Sequence, residues 1–138
     1  MGEDKNNQEV VQTSDQSSKT ILLVDDDTVL RNMYEQRLKM DGYNILTAGD
    51  GEEGYEVFQK NPIDLLITDI MLPRLSGTEL VEKVKKTKKG KNLNIIAWSN
   101  LANDEEKTKV LGFGASEYLV KNAISLDLLS QTVKKYLT

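Results

Sequence analysis

From residue 20 onward, short apolar runs alternate with stretches in which apolar residues recur at helical spacing. Five runs have the length of a β-strand and are predicted at residues 21–24, 43–48, 65–68, 95–98 and 117–120. Helices are predicted at residues 28–40, 51–60 and 104–111, around the stripe Leu80, Val81 and Val84, and across the apolar positions between Leu126 and Leu137. Asp41-Gly42 ends the first helix, and Ser125 is the predicted N-cap of the last.

These strand–helix units predict the fold class. The strands are nearly continuous in apolar residues, which is typical of strands that are buried on both faces. Regular alternation of strands and helices favours a parallel sheet with helices on both sides. Because crossover connections between parallel strands are right-handed, we predict an α/β protein with a doubly wound five-stranded parallel sheet. The pattern leaves the order of the strands open.

The first 19 residues differ in composition from the rest of the chain. Their only sizeable apolar residues are Met1, Val10 and Val11. A segment with so little apolar surface to bury does not offset the entropy that ordering removes. We therefore predict a disordered tail at residues 1–19 and a single folded domain at residues 20–138, which is long enough for a substantial core.

Composition then narrows the chemistry, because the chain contains neither cysteine nor histidine. Catalytic triads, thiolate nucleophiles and imidazole metal sites are excluded, and any phosphohistidine must belong to a partner. A bound metal must be held by oxygen atoms, which favours a hard cation such as Mg²⁺. The net charge of −4 argues against direct binding of nucleic acid. No apolar run is long enough to span a bilayer, so we expect a cytoplasmic protein without membrane contact.

Polar residues stand at the ends of four predicted strands. Asp25 and Asp26 follow the first strand, Asp69 the third, Ser99 the fourth and Lys121 the fifth. The carboxyl ends of parallel strands share one edge of a doubly wound sheet, and ligands bind at that edge. Each residue alone is ordinary, since an acid after a strand is usually a helix cap and a lysine is usually solvated. Their joint occurrence at successive strand ends is what indicates a site.

The residue types at this edge suit phosphoryl transfer. Three converging carboxylates repel one another unless a cation neutralises them, and Mg²⁺ does so while leaving positions for phosphate oxygens. Lys121 adds a fixed positive charge and Ser99 a hydroxyl donor for those oxygens. A carboxylate in line with the phosphorus can act as the nucleophile and form an aspartyl phosphate. Asp27 is interpreted as a cap of the first helix.

Three segments of the chain resemble the receiver domains of two-component response regulators. Residues 21–27 (ILLVDDD) are similar to their acidic opening, and residues 69–77 (DIMLPRLSG) to their phosphoacceptor loop. Residues 114–121 (GASEYLVK) resemble their fifth strand with its switch aromatic and lysine. The resemblance extends from Thr20 to the end of the chain and implies the flavodoxin-like (βα)5 receiver fold.

The resemblance also implies a role for each site residue. Asp69 would accept the phosphoryl group, Ser99 and Lys121 would hold its oxygens, and Ser99 with Tyr118 would form the switch. The implied protein ligands of Mg²⁺ are Asp25 (directly or through water), Asp26, Asp69 and the backbone carbonyl of Met71. The protein would catalyse only its own phosphorylation and slow dephosphorylation. It would not otherwise be an enzyme.

The implied partners follow from that role. A sensor histidine kinase or a phosphotransfer protein would donate the phosphoryl group from its phosphohistidine. Phosphorylation would remodel the surface of the fourth helix, fifth strand and last helix, and so control a downstream protein target. The protein would be a monomer or a phosphorylation-dependent dimer.

Several residues depart from the family pattern or carry further hypotheses. Asn122 stands where proline is common, with a trans peptide expected, and Asn100 where a very small residue is usual.

Trp98 is bulky for its position, and core packing is the simplest interpretation. Met71 and Leu101 have apolar side chains that cannot orient water, which predicts slow self-dephosphorylation. Six lysines are interpreted as the solvated end of the third helix or, alternatively, as a surface for an acidic partner: Lys83, Lys85, Lys86, Lys88, Lys89 and Lys91.

Two alternative functions remain at this point. Residues 25–30 (DDDTVL) also resemble the opening of haloacid-dehalogenase-like phosphatases, in which Asp25 would be the nucleophile. That family needs an acidic metal-binding pair after the lysine, whereas only Asp127 follows Lys121. The other alternative is a degenerate receiver that binds partners without being phosphorylated.

Overall fold

The computed structural model describes residues 18–100 and 102–138. The five strands are β1 (Thr20–Val24), β2 (Asn44–Ala48), β3 (Leu65–Asp69), β4 (Asn94–Ser99) and β5 (Glu117–Val120). The helices are α1 (Thr28–Met40), α2 (Gly51–Lys60), α3 (Gly77–Lys85), α4 (Asp104–Gly112) and α5 (Leu126–Leu137), with a 3-10 turn at Lys121–Ala123. Residues 1–17 of the predicted tail lie outside the described residues.

All neighbouring strands pair in parallel, in the order β2-β1-β3-β4-β5. The predicted α/β class and five-stranded parallel sheet are therefore confirmed. The connection reverses direction between β1 and β3, and this switch point is where open α/β sheets place their ligands. The peptide bond after Lys121 is trans as predicted, like the others in the described part of the chain.

The core has one layer on each face of the sheet, because side chains alternate along every strand. On the face covered by α1 and α5, the buried residues include Leu23, Ile67, Ile96, Trp98 and Val133. On the face covered by α2, α3 and α4, they include Leu22, Leu66, Phe58, Leu80 and Val110. Strands β1, β3 and β4 are thus buried on both sides, as their apolar runs predicted, whereas the edge strands β2 and β5 are mostly half-buried.

Helix α1 buries less of its apolar stripe than its sequence suggests. Tyr34 and Leu38 are buried, whereas Val29 is 76% exposed and Met33 39% exposed. Tyr34 and Leu38 are four residues apart and share the face that meets the sheet, while Val29 lies on another side of the helix. The predicted cap is confirmed, since the Asp27 side chain accepts a hydrogen bond from the Leu30 amide at 3.0 Å.

Two lysines of the basic cluster at and after the end of α3 bind backbone carbonyls of neighbouring segments. Lys85 Nζ donates to Leu93 O at 2.5 Å. Lys89 Nζ donates to the carbonyl oxygens of Phe58 and Asn61, at the C-terminal end of α2. The interpretation of the whole cluster as a solvated helix end is therefore wrong for these two lysines. For Lys89 the acceptors lie at a helix end, where unpaired carbonyls attract cations.

The predicted N-cap of α5 is confirmed, and the structure adds a capping box that was not predicted from the sequence. Ser125 caps α5 by accepting a hydrogen bond from the Leu128 amide at 3.0 Å. Ser76 and Glu79 form a reciprocal capping box at the start of α3.

Within residues 18–100 and 102–138, no helix is both long enough and apolar enough to cross a membrane.

Candidate functional site

Three acidic side chains meet at the carboxyl ends of β1 and β3. Asp25 is fully buried and Asp69 is 6% exposed, whereas Asp26 is exposed. The register between β1 and β3 pairs Val24 with Thr68, so Asp25 and Asp69 follow on the same face of the sheet. One carboxylate oxygen from each of the three acids lies within 4.8 Å of the others. This all-oxygen donor set suits a hard divalent cation such as Mg²⁺.

Lys121 lies directly against two of these acids. Its Nζ donates to Asp25 Oδ2 at 2.6 Å and to Asp69 Oδ2 at 3.0 Å, and the residue is only 3% exposed. The 3-10 turn that follows β5 carries the lysine to this position. The fold therefore brings together residues that are 96 and 52 positions apart in the chain.

Burial and charge have opposite effects on the ionisation of this group. Burial by itself lowers the pKa of Lys121, but the hydrogen bonds to Asp25 and Asp69 outweigh it and raise the pKa overall. Burial raises the pKa of Asp69, and Lys121 and the Met71 amide oppose that rise only in part. Lys121 thus supplies a positive charge that offsets part of the effect of burial on Asp69.

The loop after Asp69 is closed by short backbone contacts. The Met71 amide donates to Asp69 Oδ1 at 3.2 Å, and the Gly77 amide donates to Ile70 O at 2.9 Å. A Cβ atom at Gly77 would lie 1.9 Å from Asp69 O, so only glycine fits where α3 begins. Within the loop, Arg74 adopts a left-handed conformation with φ of 70°. The loop thus places the Met71 backbone beside the Asp69 carboxylate.

A cavity of about 420 Å³ opens beside the exposed acid Asp26. Its apolar wall comes from the loop after β3, and the lining residues are Asp26, Ile70, Met71, Leu72, Pro73 and Ser76. The side chain of Met71 is 64% exposed at this rim. Leu101, the other residue of the slow-hydrolysis hypothesis, lies outside the described residues.

Ser99 and Tyr118 belong to the opposite face of the sheet from Asp69. Ser99 is the last residue of β4 and is 1% exposed. Ala97 pairs with Tyr118, and strand alternation places Ser99 on the same side as this pair. Tyr118 is half-buried against the core layer under α2, α3 and α4. The structure thus brings the two predicted switch residues to a common face next to α4.

Three residues near the acids carry no obvious motif in the sequence. Arg31 Nη1 donates to the backbone oxygen of Asp25 at 2.8 Å and holds the loop between β1 and α1. Tyr34 and Trp98 lie under Lys121, with ring centroids 6.0 Å and 5.6 Å from its Nζ. The available signals were a basic residue in the first turn of α1 and the unusual size of Trp98. Neither signal specifies a contact with the site.

The geometry disfavours Asp25 as a nucleophile. Both of its carboxylate oxygens are engaged, Oδ1 by the Asp27 amide at 2.9 Å and Oδ2 by Lys121. Asp127, which follows Lys121 in sequence, does not join the acid cluster but forms a salt bridge with Arg37 at 2.8 Å. The phosphatase alternative therefore lacks both an accessible nucleophile and its later metal ligands among the described residues.

Known proteins from several organisms are similar to this chain in sequence or in fold. The gliding motility regulatory protein of Myxococcus xanthus is 36% identical over 115 residues, which are 83% of this chain and 15% of that protein. The chemotaxis response regulator CheY4 of Vibrio cholerae superposes with a TM-score of 0.82 at 30% identity, over 87% of this chain and 99% of that chain. A receiver domain of a sensor histidine kinase from Pseudomonas aeruginosa, with magnesium coordinated in its active-site cleft, has a TM-score of 0.78 at 25% identity, over 87% of this chain and 98% of that chain.

A family model also matches the chain in sequence. The chain spans less than half of the curated relatives that it matches, at most 47% of a Bacillus subtilis regulator. The model of the response regulator receiver domain matches residues 21–134. This range includes most of α5 and all five strands, except for the first residue of β1. The three acids and Lys121 lie within the matched residues, as does the sheet with its order β2-β1-β3-β4-β5. This chain therefore belongs to the response regulator receiver domain family.

Proposed function

We propose that this receiver domain accepts a phosphoryl group from a partner phosphohistidine onto Asp69 and thereby switches a protein-binding surface. The observation that carries the proposal is the difference between the two buried acids. Both acids have their two oxygens hydrogen-bonded, but Asp25 is 0% exposed, whereas Asp69 is 6% exposed and directly precedes the loop that borders the cavity. Of the two buried acids, Asp69 is therefore the one that is more open to a phosphodonor.

The transfer step uses the carboxylate directly and needs no general base. An Asp69 oxygen attacks the phosphorus, and an O–P bond forms as the P–N bond to the partner's imidazole breaks. The electron pair of the broken bond leaves with the imidazole nitrogen, and the ring takes up a proton from solvent to depart as neutral imidazole. Lys121, already 3.0 Å from Asp69, is placed to hold a phosphoryl oxygen as negative charge accumulates there. The hydroxyl of Ser99 is the second proposed donor.

Asp25, Asp26, Asp69 and the Met71 carbonyl are the proposed ligands of Mg²⁺, which would neutralise the acids and the phosphoryl oxygens when bound. The acid cluster supports this assignment, as does the magnesium in the active-site cleft of the Pseudomonas aeruginosa receiver domain. Lys121 and the aspartates together leave the cluster with a net negative charge. A further cation is therefore compatible with the site.

The proposed output is a change at the surface of α4, β5 and α5. Phosphorylation adds roughly −1.5 to −2 charges at Asp69. Ser99 would move toward the new oxygens, and Tyr118, half-buried on the same face, would turn into the space that Ser99 leaves. A protein that recognises this surface, or a second copy of the domain, would distinguish the two states. The cytoplasmic location of such a switch stays a prediction.

The relatives do not support the expectation that nucleic acid plays no part. Several of them are named as transcriptional regulators, including proteins from Bacillus subtilis and Cyanophora paradoxa. They are more than twice as long as the matched region, so their full activities need not reside in the receiver domain. We therefore confine the proposal to the donor and to a protein target of residues 20–138.

The test is intact-protein mass spectrometry after treatment with acetyl phosphate and Mg²⁺, followed by mapping of the modified residue. We expect one phosphoryl group per chain on Asp69, and none on the Asp69→Asn variant. The Asp25→Asn variant should take the label more slowly and at the same residue. A label that maps to Asp25 would instead favour the phosphatase-like chemistry. If neither acetyl phosphate nor a phosphohistidine partner labels the wild type, the degenerate receiver is the better description.

Slow loss of the phosphoryl group is also part of the proposal. The exposed Met71 side chain lies at the rim of the cavity and carries no group that could orient an attacking water. Replacing it by asparagine should therefore speed hydrolysis, as measured by the decay of the labelled mass. A wild type that loses its phosphate faster than Met71→Asn would contradict this reasoning.

A further inference from the structure

We propose that Trp98 and Tyr34 form an aromatic pair that positions Lys121 for phosphoryl transfer, an inference that rests on the proposed function of Asp69. The pair holds the ammonium group between Asp25 and Asp69 from the side that faces away from solvent. In this view Trp98 is a positioning residue as well as part of the core. It acts on the reaction only through Lys121.

The geometry places the two rings beneath the lysine. The ring centroids of Tyr34 and Trp98 are 4.7 Å apart with an angle of 46° between the ring planes. Lys121 Nζ lies 5.6 Å from the Trp98 ring and 6.0 Å from the Tyr34 ring. Both distances are within the range in which an aromatic face attracts a cation. Lys121 Nζ therefore binds two carboxylates and also lies over two aromatic rings.

The sheet register explains why Trp98 reaches this position. Its Cα pairs with Asp69 on one side and with Leu119 on the other. The indole thus lies on the same face as Asp69, between the strand that ends in the acid and the strand that leads to Lys121. In addition, the Trp98 carbonyl accepts the amide of Ile70 at 2.9 Å. A change at Trp98 is transmitted to both partners of the ion pair.

Packing alone does not account for an indole here. Trp98 is fully buried, and its Nε1 has no hydrogen-bond partner among residues 18–100 and 102–138. Burying an unpaired N–H group is unfavourable, and an apolar side chain would fill this layer without that penalty. The feature that an indole adds is its large electron-rich face, and that face lies near the one buried ammonium among the described residues. Attraction of Lys121 is a reason for the tryptophan that packing does not provide.

Tyr34 supports the same arrangement from helix α1. It is 5% exposed, and burial raises the pKa of its phenol, an effect that the charge of Lys121 opposes. The acids Asp25 and Asp69 also act on this group, so the ring lies within the field of the site. Helix α1 therefore contributes to the site through Tyr34 as well as through Arg31.

The first test needs no phosphodonor, because Trp98 is the only tryptophan in the chain. A nearby ammonium should perturb indole emission, so Lys121→Met should change the fluorescence intensity of Trp98. The matched control is Lys88→Met, a lysine on the exposed surface, which should leave the emission unchanged. Identical emission from the wild type and Lys121→Met would overturn the proposed contact. This result would stand even if Asp69 were never phosphorylated.

The second test separates positioning from packing by a double-mutant cycle on the rate of labelling by acetyl phosphate. Trp98→Phe keeps a ring and should label within about twofold of the wild type, whereas Trp98→Leu should be slower by about 3- to 10-fold. In the Lys121→Met background, Trp98→Leu should cause no further decrease. All rates are corrected for the folded fraction measured by urea unfolding.

The outcomes of the cycle are distinct. An equal effect of Trp98→Leu in both backgrounds would mean that the indole acts through the fold, and it would overturn the proposal. No effect of Trp98→Leu in the wild-type background would overturn it as well. A wild type that takes no label at Asp69 would instead refute the proposed function. In that case the fluorescence comparison alone would test the contact between Lys121 and the aromatic pair.

Discussion

Replacing Lys121 by methionine should destabilise the fold strongly in the absence of divalent cations. Methionine keeps an unbranched apolar side chain of similar length but removes the ammonium group. Asp25 and Asp69, which are 0% and 6% exposed, would then face each other without a compensating charge. Removing one member of a buried ion pair is costly because the other member stays buried and unpaired.

The size of the effect follows from the contacts that are lost. Breaking a buried pair typically costs about 3–5 kcal/mol, and hydrogen bonds to charged groups contribute about 1.5–3 kcal/mol each. Lys121 makes two such bonds, at 2.6 Å and 3.0 Å. Burial already raises the pKa of Asp69, so this acid can relieve part of the repulsion by taking up a proton. We therefore expect a loss of about 3 kcal/mol at pH 7, near the lower end of that range.

Urea unfolding followed by circular dichroism measures this loss. With a slope of about 1.5 kcal/mol per molar, a loss of about 3 kcal/mol lowers the unfolding midpoint by roughly 2 M in EDTA. Added Mg²⁺ should reduce the difference between the unfolding midpoints of the wild type and Lys121→Met, because it can neutralise the acids in the variant. The folded-state pKa of Lys121 is raised above 10.5, so its contribution should be constant up to about pH 10 and lost at higher pH. Equal midpoints for the wild type and Lys121→Met in EDTA would refute the reasoning.

Three further predictions concern the loop, a helix end and a tyrosine. In Gly77→Ala the new Cβ would lie 1.9 Å from Asp69 O, so labelling by acetyl phosphate should slow by about tenfold or more. Lys89→Met loses its bonds to the last carbonyls of α2, and the free energy of unfolding should fall by about 1 kcal/mol in urea. Burial and the hydrogen bond to Glu117 raise the pKa of Tyr136 to about 12. The stabilisation from its protonated phenol should therefore persist to about pH 10 and disappear as the pH approaches 12.

Each of these predictions has a matched control. Gly112→Ala meets no atom within 4 Å and should label at the wild-type rate, so an equal slowing in both variants would contradict the role of the close contact at Gly77. Lys88→Met should leave the unfolding midpoint unchanged, and a similar loss there would point to net charge as the cause. For Tyr136, phenolate absorbance near 295 nm gives the ionisation directly. If Tyr136→Phe does not remove one late-ionising group, the hydrogen bond to Glu117 is not maintained in solution.

Local sequence patterns predicted the elements closely, because each element is built from a short stretch with its own periodicity. The helices at residues 28–40 and 51–60 and the strand at 117–120 have the predicted bounds. The fourth strand is longer than its apolar run and includes Ser99. Pairing with β3 on one side and β5 on the other extends the strand to this polar residue. The prediction failed mainly for burial, as with Val29, because a helical stripe does not show how far a helix rotates toward the sheet.

The site was predictable in its residue types and much less so in its contacts. The acids at residues 25, 26 and 69 were expected to converge, and the structure brings their oxygens within 4.8 Å. The engagement of Asp25 by Lys121, at a separation of 96 residues, could not be inferred from spacing. Nor could the position of Trp98, whose sequence suggested only a buried ring. Contacts of this kind depend on which strands become neighbours.

By itself, the sequence determined the chemistry that this protein can perform. It placed carboxylates, a hydroxyl and a lysine at successive strand ends, and it left out histidine and cysteine. Only the tertiary structure decided how these groups share the site: Lys121 binds both Asp25 and Asp69, Asp25 is 0% exposed whereas Asp69 is 6% exposed, and Lys121 lies over Tyr34 and Trp98. The physical reason is that strand order and helix rotation are set by packing between distant segments, which no local pattern encodes.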